Sequence, residues 1–169
     1  MTIQSNLNWQ TQTNNMCQMA YTRLWMLRRL KPLGASLTEL IEVYRTQIRC
    51  LLEFAVPVWN VGLTRAQENQ IERVQKCALA IILSKNFHDY EHALNITDLK
   101  RLSDRRHELC LKFATKASKH MKFATWFCKS EQAGMETRTK KNPLKSVNAR
   151  TSRYKKSPIA YLTKLLNEN

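Results

Sequence analysis

Lysines alternate with aromatic residues between positions 112 and 129, a combination suited to contact with nucleic acid. Cations bind backbone phosphates, and unpaired bases stack on flat rings. The candidate residues are Lys112, Lys116, Lys119, Lys122 and Trp126, with Phe113, Phe123 and Phe127 beside them. The alternative is an amphipathic helix with core rings and solvated lysines. We favour that alternative for Phe113, while both interpretations stay open for Trp126 and Phe127.

A second group of cations follows, in a stretch with few apolar residues. It comprises Arg138, Lys140, Lys141, Lys145, Arg150, Arg153, Lys155 and Lys156. No pattern of apolar residues places these side chains on an amphipathic helix. They are therefore the stronger candidates for contact with nucleic acid.

The charge distribution supports the same expectation. Lys and Arg number 28 against 13 Asp and Glu, a formal net charge of +15. Residues 1–109 carry a net charge of +4 and residues 110–169 a net charge of +11. This asymmetry predicts a nearly balanced globular body followed by a polycationic segment. We favour RNA or DNA as the partner over a basic targeting tail or a simple gain in solubility.

Acidic residues and histidines give little support for catalysis or for a metal site. Two-metal polymerase chemistry needs carboxylates that are close together, whereas Asp89, Asp98 and Asp104 are separate. Three glycines cannot build a phosphate-binding loop of the Walker type. His88 and His92 have a metal-compatible spacing but no evident third ligand, so we interpret them as surface histidines. The sequence therefore predicts no catalytic residue, no metal and no cofactor.

Cysteine usage and hydropathy indicate an intracellular protein of the nucleus or cytoplasm. The five cysteines form no CxxC pair, which predicts reduced, mostly buried thiols. The first ten residues lack the pattern of a secretory signal. No apolar run approaches the ~18 residues of a membrane-spanning helix, so we expect no membrane partner.

Apolar spacing predicts helices through most of the chain. They should start near Thr13, Ser36, Thr64, Asp89 and Thr97. Capping boxes mark two of these starts, since Glu39 and Gln67 each stand three residues after a Ser or Thr. The first helix should reach residue 33 and the second should end near Pro57. Residues 104–108 should form the solvent-exposed face of the last of these helices.

The predicted fold is mainly α, a small helical bundle with appendages. Residues 13–127 form the bundle, after a short leading segment of residues 1–12. Residues 128–156 form a basic segment expected to lack stable structure when free. Residues 157–169 form a short terminal helix that starts at Ser157 and Pro158.

Several segments of the chain resemble a known family. Residues 51–83, LLEFAVPVWNVGLTRAQENQIERVQKCALAIIL, resemble the segment downstream of the polymerase core in reverse transcriptases of jockey-like non-LTR retrotransposons. AYTRLWMLRRLKPLG (20–34), YEHALNITDLKRLSDRRHELCLKFATKASKH (90–120) and RYKKSPIAYLTKLLN (153–167) resemble flanking parts of the same family, in the correct order. The resemblance covers almost the whole chain.

This resemblance implies that the chain corresponds to the thumb and the region after it, with residues 1–12 as the end of the palm. The YxDD segment of such enzymes would precede Met1, so no polymerase activity is expected from this chain alone. Thumb helices pack along the template-primer duplex. By position, Arg28, Arg29, Arg45 and Arg49 are then candidates for contact with its backbone. Pairing with Glu39, Glu42 or Glu53 at helical spacing is the alternative for some of them.

Three hypotheses follow from the sequence. The first is a catalytically silent part of a reverse transcriptase with residual nonspecific affinity for RNA or DNA. The second is a helical protein-interaction module, or self-association, through apolar residues such as Leu7, Trp9 and Trp25. The third is a remnant of a mobile element without a selected function.

Overall fold

The computed structural model describes residues 1–5, 8–128, 144–145, 148, 150–155 and 157–168, and the protein is mainly α. Its helices are α1 (Gln10–Leu30), α2 (Leu37–Val43), α3 (Cys50–Glu53), α4 (Val56–Trp59), α5 (Arg65–Leu83), α6 (Tyr90–Thr97), α7 (Leu102–Ser118), α8 (Ser152–Lys155) and α9 (Pro158–Glu168). A π-helical turn, Tyr44–Arg49, joins α2 to α3, and 3-10 turns cover Asn60–Gly62, Ser84–Asn86 and Met121–Trp126. Within the described ranges there is no β-strand. The predicted mainly helical fold is thus confirmed.

The chain divides into two compact units. Unit 1 comprises residues 1–55 and 63–105, and unit 2 comprises residues 56–62 and 106–169. The last division falls within α7, between Arg105 and Arg106. Each unit has its own buried residues and is described separately.

Unit 1 is built on the packing of α1 against α5. Apolar side chains at helical spacing on α1 are buried, and α2, the π turn, α3 and α5 contribute the facing side chains. Its fully buried residues include Met16, Leu24, Leu27, Leu40, Tyr44, Ile48, Leu52, Ile71, Val74 and Leu79. Burying each large aliphatic side chain contributes about 1.5–3 kcal/mol. This core holds the two long helices side by side.

Both predicted capping boxes are present in unit 1. Ser36 Oγ accepts from the amide of Glu39, whose Oε2 accepts from the amide of Ser36 at 2.7 Å. Ser36 Oγ also donates to Glu39 Oε2 at 2.7 Å, and this bond, followed by the one from the Ser36 amide, lowers the pKa of the Glu39 carboxyl. Thr64 and Gln67 make the same reciprocal pair at the start of α5, at 2.8 and 3.3 Å. Each cap satisfies amides that a helix start leaves unpaired, which stabilises the helix by about 1 kcal/mol.

The second predicted helix ends earlier than expected. Glu53 is the last residue of α3, because Phe54 is extended and Ala55 has a positive φ of 55°. Pro57 instead lies in the first turn of α4, where a missing amide costs no helical hydrogen bond. The predicted helix end at Pro57 is therefore wrong by four residues.

Thr97 does not cap a helix, contrary to the prediction. It is the last residue of α6, and its Oγ1 donates to the carbonyl of Ala93 at 2.7 Å. The predicted short helix is confirmed as α6, with Asp89 as its N-cap. Helix α7 begins five residues later at Leu102, whose amide donates to Glu72 Oε1 at 3.1 Å. A carboxylate from α5 therefore supplies the acceptor expected from Thr97.

Trp9 is buried rather than uncovered, with 7 % of its surface exposed. The start of α1 lies against the start of α5, where Gln67 Nε2 donates to Gln10 Oε1 at 3.2 Å and to Asn8 Oδ1 at 3.4 Å. Asn8 and Gln10, which make these contacts, are the sequence neighbours of Trp9. Trp25 is exposed as predicted, and Leu7 lies outside the described residues.

Unit 2 combines α4, the larger part of α7, and α9, which packs on α4 and on the following 3-10 turn. The prediction that residues 104–108 form a solvent-exposed face is wrong for Arg106, which is only 1 % exposed. Its Nε donates to Asn60 Oδ1 at 2.9 Å. Trp59 and Leu162 are equally buried in this unit.

The terminal helix agrees with its predicted start. Ser157 Oγ accepts from the amide of Ala160, and α9 begins at Pro158. One short helix, α8, falls within the basic segment predicted to lack stable structure. Most of that segment, residues 129–143, 146–147, 149 and 156, lies outside the described residues.

All five cysteines are free thiols, in agreement with the prediction, but only Cys17 and Cys110 are buried. Cys50 and Cys128 are exposed and Cys77 is half-buried. Burial raises the pKa of the Cys17 thiol to about 11 and that of the Cys110 thiol to about 11. Of the helices that the structure describes, none has the length and apolar character to cross a membrane.

Candidate nucleic-acid interface

The end of α7 and the turn after it form one surface with a three-residue repeat. The amides of Lys119, His120 and Phe123 donate to the carbonyls of Lys116, Ala117 and His120, at 3.3, 3.0 and 2.9 Å. Each bond spans three residues, the 3-10 pattern, and it places residues three apart above one another. Residues Met121–Trp126 continue as a 3-10 helix.

Three rings follow one another along this repeat. His120 and Phe123 have ring centroids 5.6 Å apart, and Phe123 and Trp126 have centroids 4.7 Å apart. Both pairs are tilted, by 53° and 54°. Phe113 of α7 packs against this row. Its ring lies edge-on to that of Phe123, with the two centroids 6.4 Å apart. The rings thus form a continuous aromatic row beside α7.

Lysines accompany the row. Lys116, Lys119 and Lys122 are three residues apart, and Lys112 lies one helical turn before Lys116 on α7. All four side chains are exposed. We call Lys112, Lys116, Lys119, Lys122, His120, Phe123 and Trp126 the lysine–aromatic surface, and it lies wholly in unit 2.

The structure separates the two interpretations that the sequence left open for these rings. Phe127 is buried, with 6 % exposure, and so is core. Trp126 is 38 % exposed, although a tryptophan with this much apolar area gains free energy from burial. Phe113 is half-buried against Phe123, so it is neither wholly core nor surface. Phe127 therefore anchors the turn, and Trp126 presents a ring to solvent.

The arginines proposed for duplex contact lie in unit 1 and have two kinds of surroundings. Arg28 and Arg29 are exposed in the last turn of α1, where positive charge also suits the helix dipole. Arg45 pairs with Glu42 at 2.9 Å, and Arg49 lies 3.5 Å from Glu53. Pairing on the same helix, the alternative weighed above, thus accounts for Arg45 and Arg49.

Sequence reasoning missed the polar network that fixes the start of α7 in unit 1. Arg105 donates to both carboxylate oxygens of Glu53, from Nε at 2.9 Å and from Nη2 at 3.0 Å. The two side chains are only 21 % and 14 % exposed. Glu72 accepts a hydrogen bond from the Tyr90 hydroxyl as well as from the amide of Leu102. Arg105 and Glu53 have the opposite charges of an ion pair. Because 52 positions separate them, their spacing along the chain does not indicate the pairing.

Several candidate cations of the basic segment have described positions. Arg150, Lys155 and Lys145 are exposed, and Arg153 belongs to α8. The remaining candidates, Arg138, Lys140, Lys141 and Lys156, lie outside the described residues.

His88 and His92 are the two residues with a metal-compatible spacing. The rings of His88 and His92 lie 5.3 Å apart in an edge-on arrangement. Across the described part of the chain, no group of three or more His, Cys, Asp or Glu side chains is placed to hold a metal ion. These two histidines are exposed residues near the start of α6.

Comparison with protein-family models, with curated proteins and with solved structures gave no match.

Proposed function

We propose that this chain is a catalytically silent, thumb-like part of a non-LTR reverse transcriptase that binds RNA or DNA without sequence preference. The observation that carries the proposal is the lysine–aromatic surface, where four exposed lysines flank an exposed tryptophan. Cations that track a backbone, next to rings on which bases stack, are the elements of nonspecific nucleic-acid binding. The net charge of +15 favours a polyanionic partner in the same way.

Binding of this kind depends steeply on salt, because each phosphate contact releases condensed counterions. Four lysine contacts to a single strand give a slope of about −3 in log affinity against log salt. Between about 50 and 200 mM salt, that slope corresponds to a loss of roughly 50-fold in affinity. Anisotropy of a labelled oligonucleotide measures this directly.

A charge-matched pair of variants tests which lysines are responsible. The test variant combines Lys112→Ala, Lys116→Ala, Lys119→Ala and Lys122→Ala. The control removes four exposed cations of unit 1, Arg65→Ala, Arg73→Ala, Lys76→Ala and Lys85→Ala. In the test variant, the slope of log affinity against log salt should become shallower by about 3. In the control, the change in that slope should be much smaller. A flat salt dependence of the native protein, or no binding at low salt, contradicts the proposal.

The family assignment has a separate test in the transcript. An in-frame continuation upstream of the Met1 codon that encodes a YxDD segment supports a reverse transcriptase origin. Stop codons or unrelated coding sequence at that place favour a reused fragment or an element remnant.

Self-association is the second candidate function, and exposed apolar side chains of unit 1 favour it. Trp25 is 53 % exposed and Leu33 is 81 % exposed. Exposed large apolar groups promote association when they form a continuous patch. Light scattering of the native protein and of Trp25→Ser tests this, and a monomer at all concentrations rules it out.

A further inference from the structure

We infer that the lysine–aromatic surface binds unpaired nucleotides in preference to duplex. This inference rests on the proposed nucleic-acid binding and adds the class of ligand. Lysines alone do not discriminate, since single strands and duplexes both present phosphates. The discrimination comes from the aromatic row.

The row has a geometry that fits a few consecutive bases. His120, Phe123 and Trp126 recur every three residues, with successive centroids 5.6 and 4.7 Å apart. Because neighbouring rings are tilted by more than 50°, they are not stacked face to face on one another. Exposed ring surface remains for bases, which in a duplex are already stacked and hidden.

The lysine row runs along the same repeat. Lys116, Lys119 and Lys122 recur at the three-residue spacing that orders the rings. A backbone that follows the lysines therefore passes the rings in step, so that successive bases meet successive rings. The amide of Lys122 also donates to His120 Nδ1 at 3.2 Å, which ties the two rows together. This register suits a single strand of two or three nucleotides.

The turn that carries the rows is anchored before any ligand arrives. Phe127 and Ala117 are buried at 6 % and 3 %, and Phe113 packs edge-on against Phe123. Ordering of side chains on binding costs free energy, and rings that are already held avoid part of that cost. The surface is in this sense preorganised for stacking.

The test uses the full chain and three labelled probes of equal length at about 50 mM salt: a single-stranded RNA, a single-stranded DNA and a DNA duplex. Both single strands should bind at least about fivefold more tightly than the duplex, which corresponds to one stacked base. Comparison of the two single strands shows whether the 2′-hydroxyl contributes. Polyglutamate of matched charge serves as a protein-like polyanion, and equal binding to it overturns the inference.

Substitution of Trp126 isolates the stacking contribution. Trp126→Ala should weaken single-strand binding by about 5- to 150-fold and duplex binding by less than about twofold. Trp126→Phe keeps a ring and should retain most of the affinity. Phe54→Ala, which removes an aromatic ring of unit 1 that is 60 % exposed, is the matched control and should change neither. If Trp126→Ala does not fold, His120→Ala provides the same comparison at the other end of the row.

The outcomes separate this inference from the proposed function. If Trp126→Ala weakens the affinity for single strands and for duplex equally, or weakens neither, the inferred preference for single strands is wrong. The proposed salt-dependent binding is unaffected by either result. A native protein that binds no probe at low salt overturns both.

Discussion

The hydroxyl of Tyr44 offers the sharpest test of how unit 1 is held together. The Tyr44 side chain is fully buried, and its hydroxyl donates to Gln75 Oε1 at 2.6 Å. Gln75 is only 1 % exposed, and its Nε2 donates to the carbonyl of Lys100 at 3.0 Å. The pair thus links the π turn, α5 and the segment before α7. Tyr44→Phe removes one oxygen atom and little else.

The expected loss follows from the burial of the partner. The hydrogen bond itself contributes about 1 kcal/mol net, and a buried acceptor left without its donor costs about 1–3 kcal/mol. We expect Tyr44→Phe to lower the free energy of unfolding by about 2 kcal/mol. Gln75→Met, which keeps a similar volume, should also destabilise, because it leaves the Tyr44 hydroxyl without its acceptor. In the double variant the two losses should not add, with a coupling energy of about 1–2 kcal/mol.

Urea unfolding followed by far-ultraviolet circular dichroism measures these differences. A loss below about 0.5 kcal/mol for Tyr44→Phe, or strict additivity in the double variant, refutes the reasoning, since either result means that the hydroxyl gains nothing from Gln75.

Alkaline titration tests the same residue independently. Burial raises the pKa of Tyr44 above its usual value, and burial followed by the hydrogen bond to Glu72 does the same for the pKa of Tyr90. The unfolded chain therefore loses these protons first, near pH 10. The contribution of each tyrosine to stability is complete below about pH 10 and falls by about 1.4 kcal/mol per pH unit above it. Tyr44→Phe should reduce that decline, and Tyr154→Phe, at an exposed tyrosine, is the control.

Two further predictions concern charge and thiols. Glu53→Gln should destabilise unit 1 by about 2 kcal/mol, because it weakens the two-bond contact with Arg105 at a site of low exposure. Thermal unfolding measures the loss, and Glu42→Gln, at an exposed pair with Arg45, should cost less than about 0.5 kcal/mol. With a thiol reagent at pH 8, Cys50 and Cys128 should react at least about tenfold faster than Cys17 and Cys110, since burial keeps the latter two protonated and shielded. A single rate for all five cysteines contradicts this.

Local signals explain what the sequence predicted well. The boxes at Ser36 and Thr64 involve partners three residues away, so the chain fixes them without long-range packing. The apolar stripes of α1 and α5 likewise depend only on helical spacing. These features correctly located the starts of α2 and α5, whereas α1 runs from Gln10 to Leu30 instead of from about Thr13 to residue 33.

Long-range contacts explain the errors. Thr97 has the residue type of an N-cap, yet it ends α6, because Glu72 provides the acceptor at the start of α7. Arg106 stands in a charged run and is nevertheless buried with Asn60, 46 positions away. Trp9 is buried, and its neighbours Asn8 and Gln10 contact Gln67 across more than fifty residues. Composition and spacing carry no information about such pairings.

The residue types of the candidate site could be predicted from the sequence, but the relative positions of their side chains could not. Lysines and rings were evident between positions 112 and 129, but helical spacing left Trp126 and Phe127 equivalent. The three-residue hydrogen bonds that begin at Lys119 change the periodicity. That change buries Phe127, exposes Trp126 and aligns the rings with the lysines. A helix continued at 3.6 residues per turn does not produce either row.

Several residues of the segment 51–83 have roles in folding. In residues 51–83, Thr64 and Gln67 form a cap, Ile71 and Val74 form core, and Pro57 lies in a first helical turn. Each of these roles concerns packing within the chain, so these residues provide a scaffold. The proposed nucleic-acid binding uses side chains outside this scaffold, and Lys112, Lys116, Lys119, Lys122 and Trp126 are exposed side chains of that kind. Substitutions of the packed residues of segment 51–83 should therefore alter stability, whereas substitutions in the lysine–aromatic surface should alter binding.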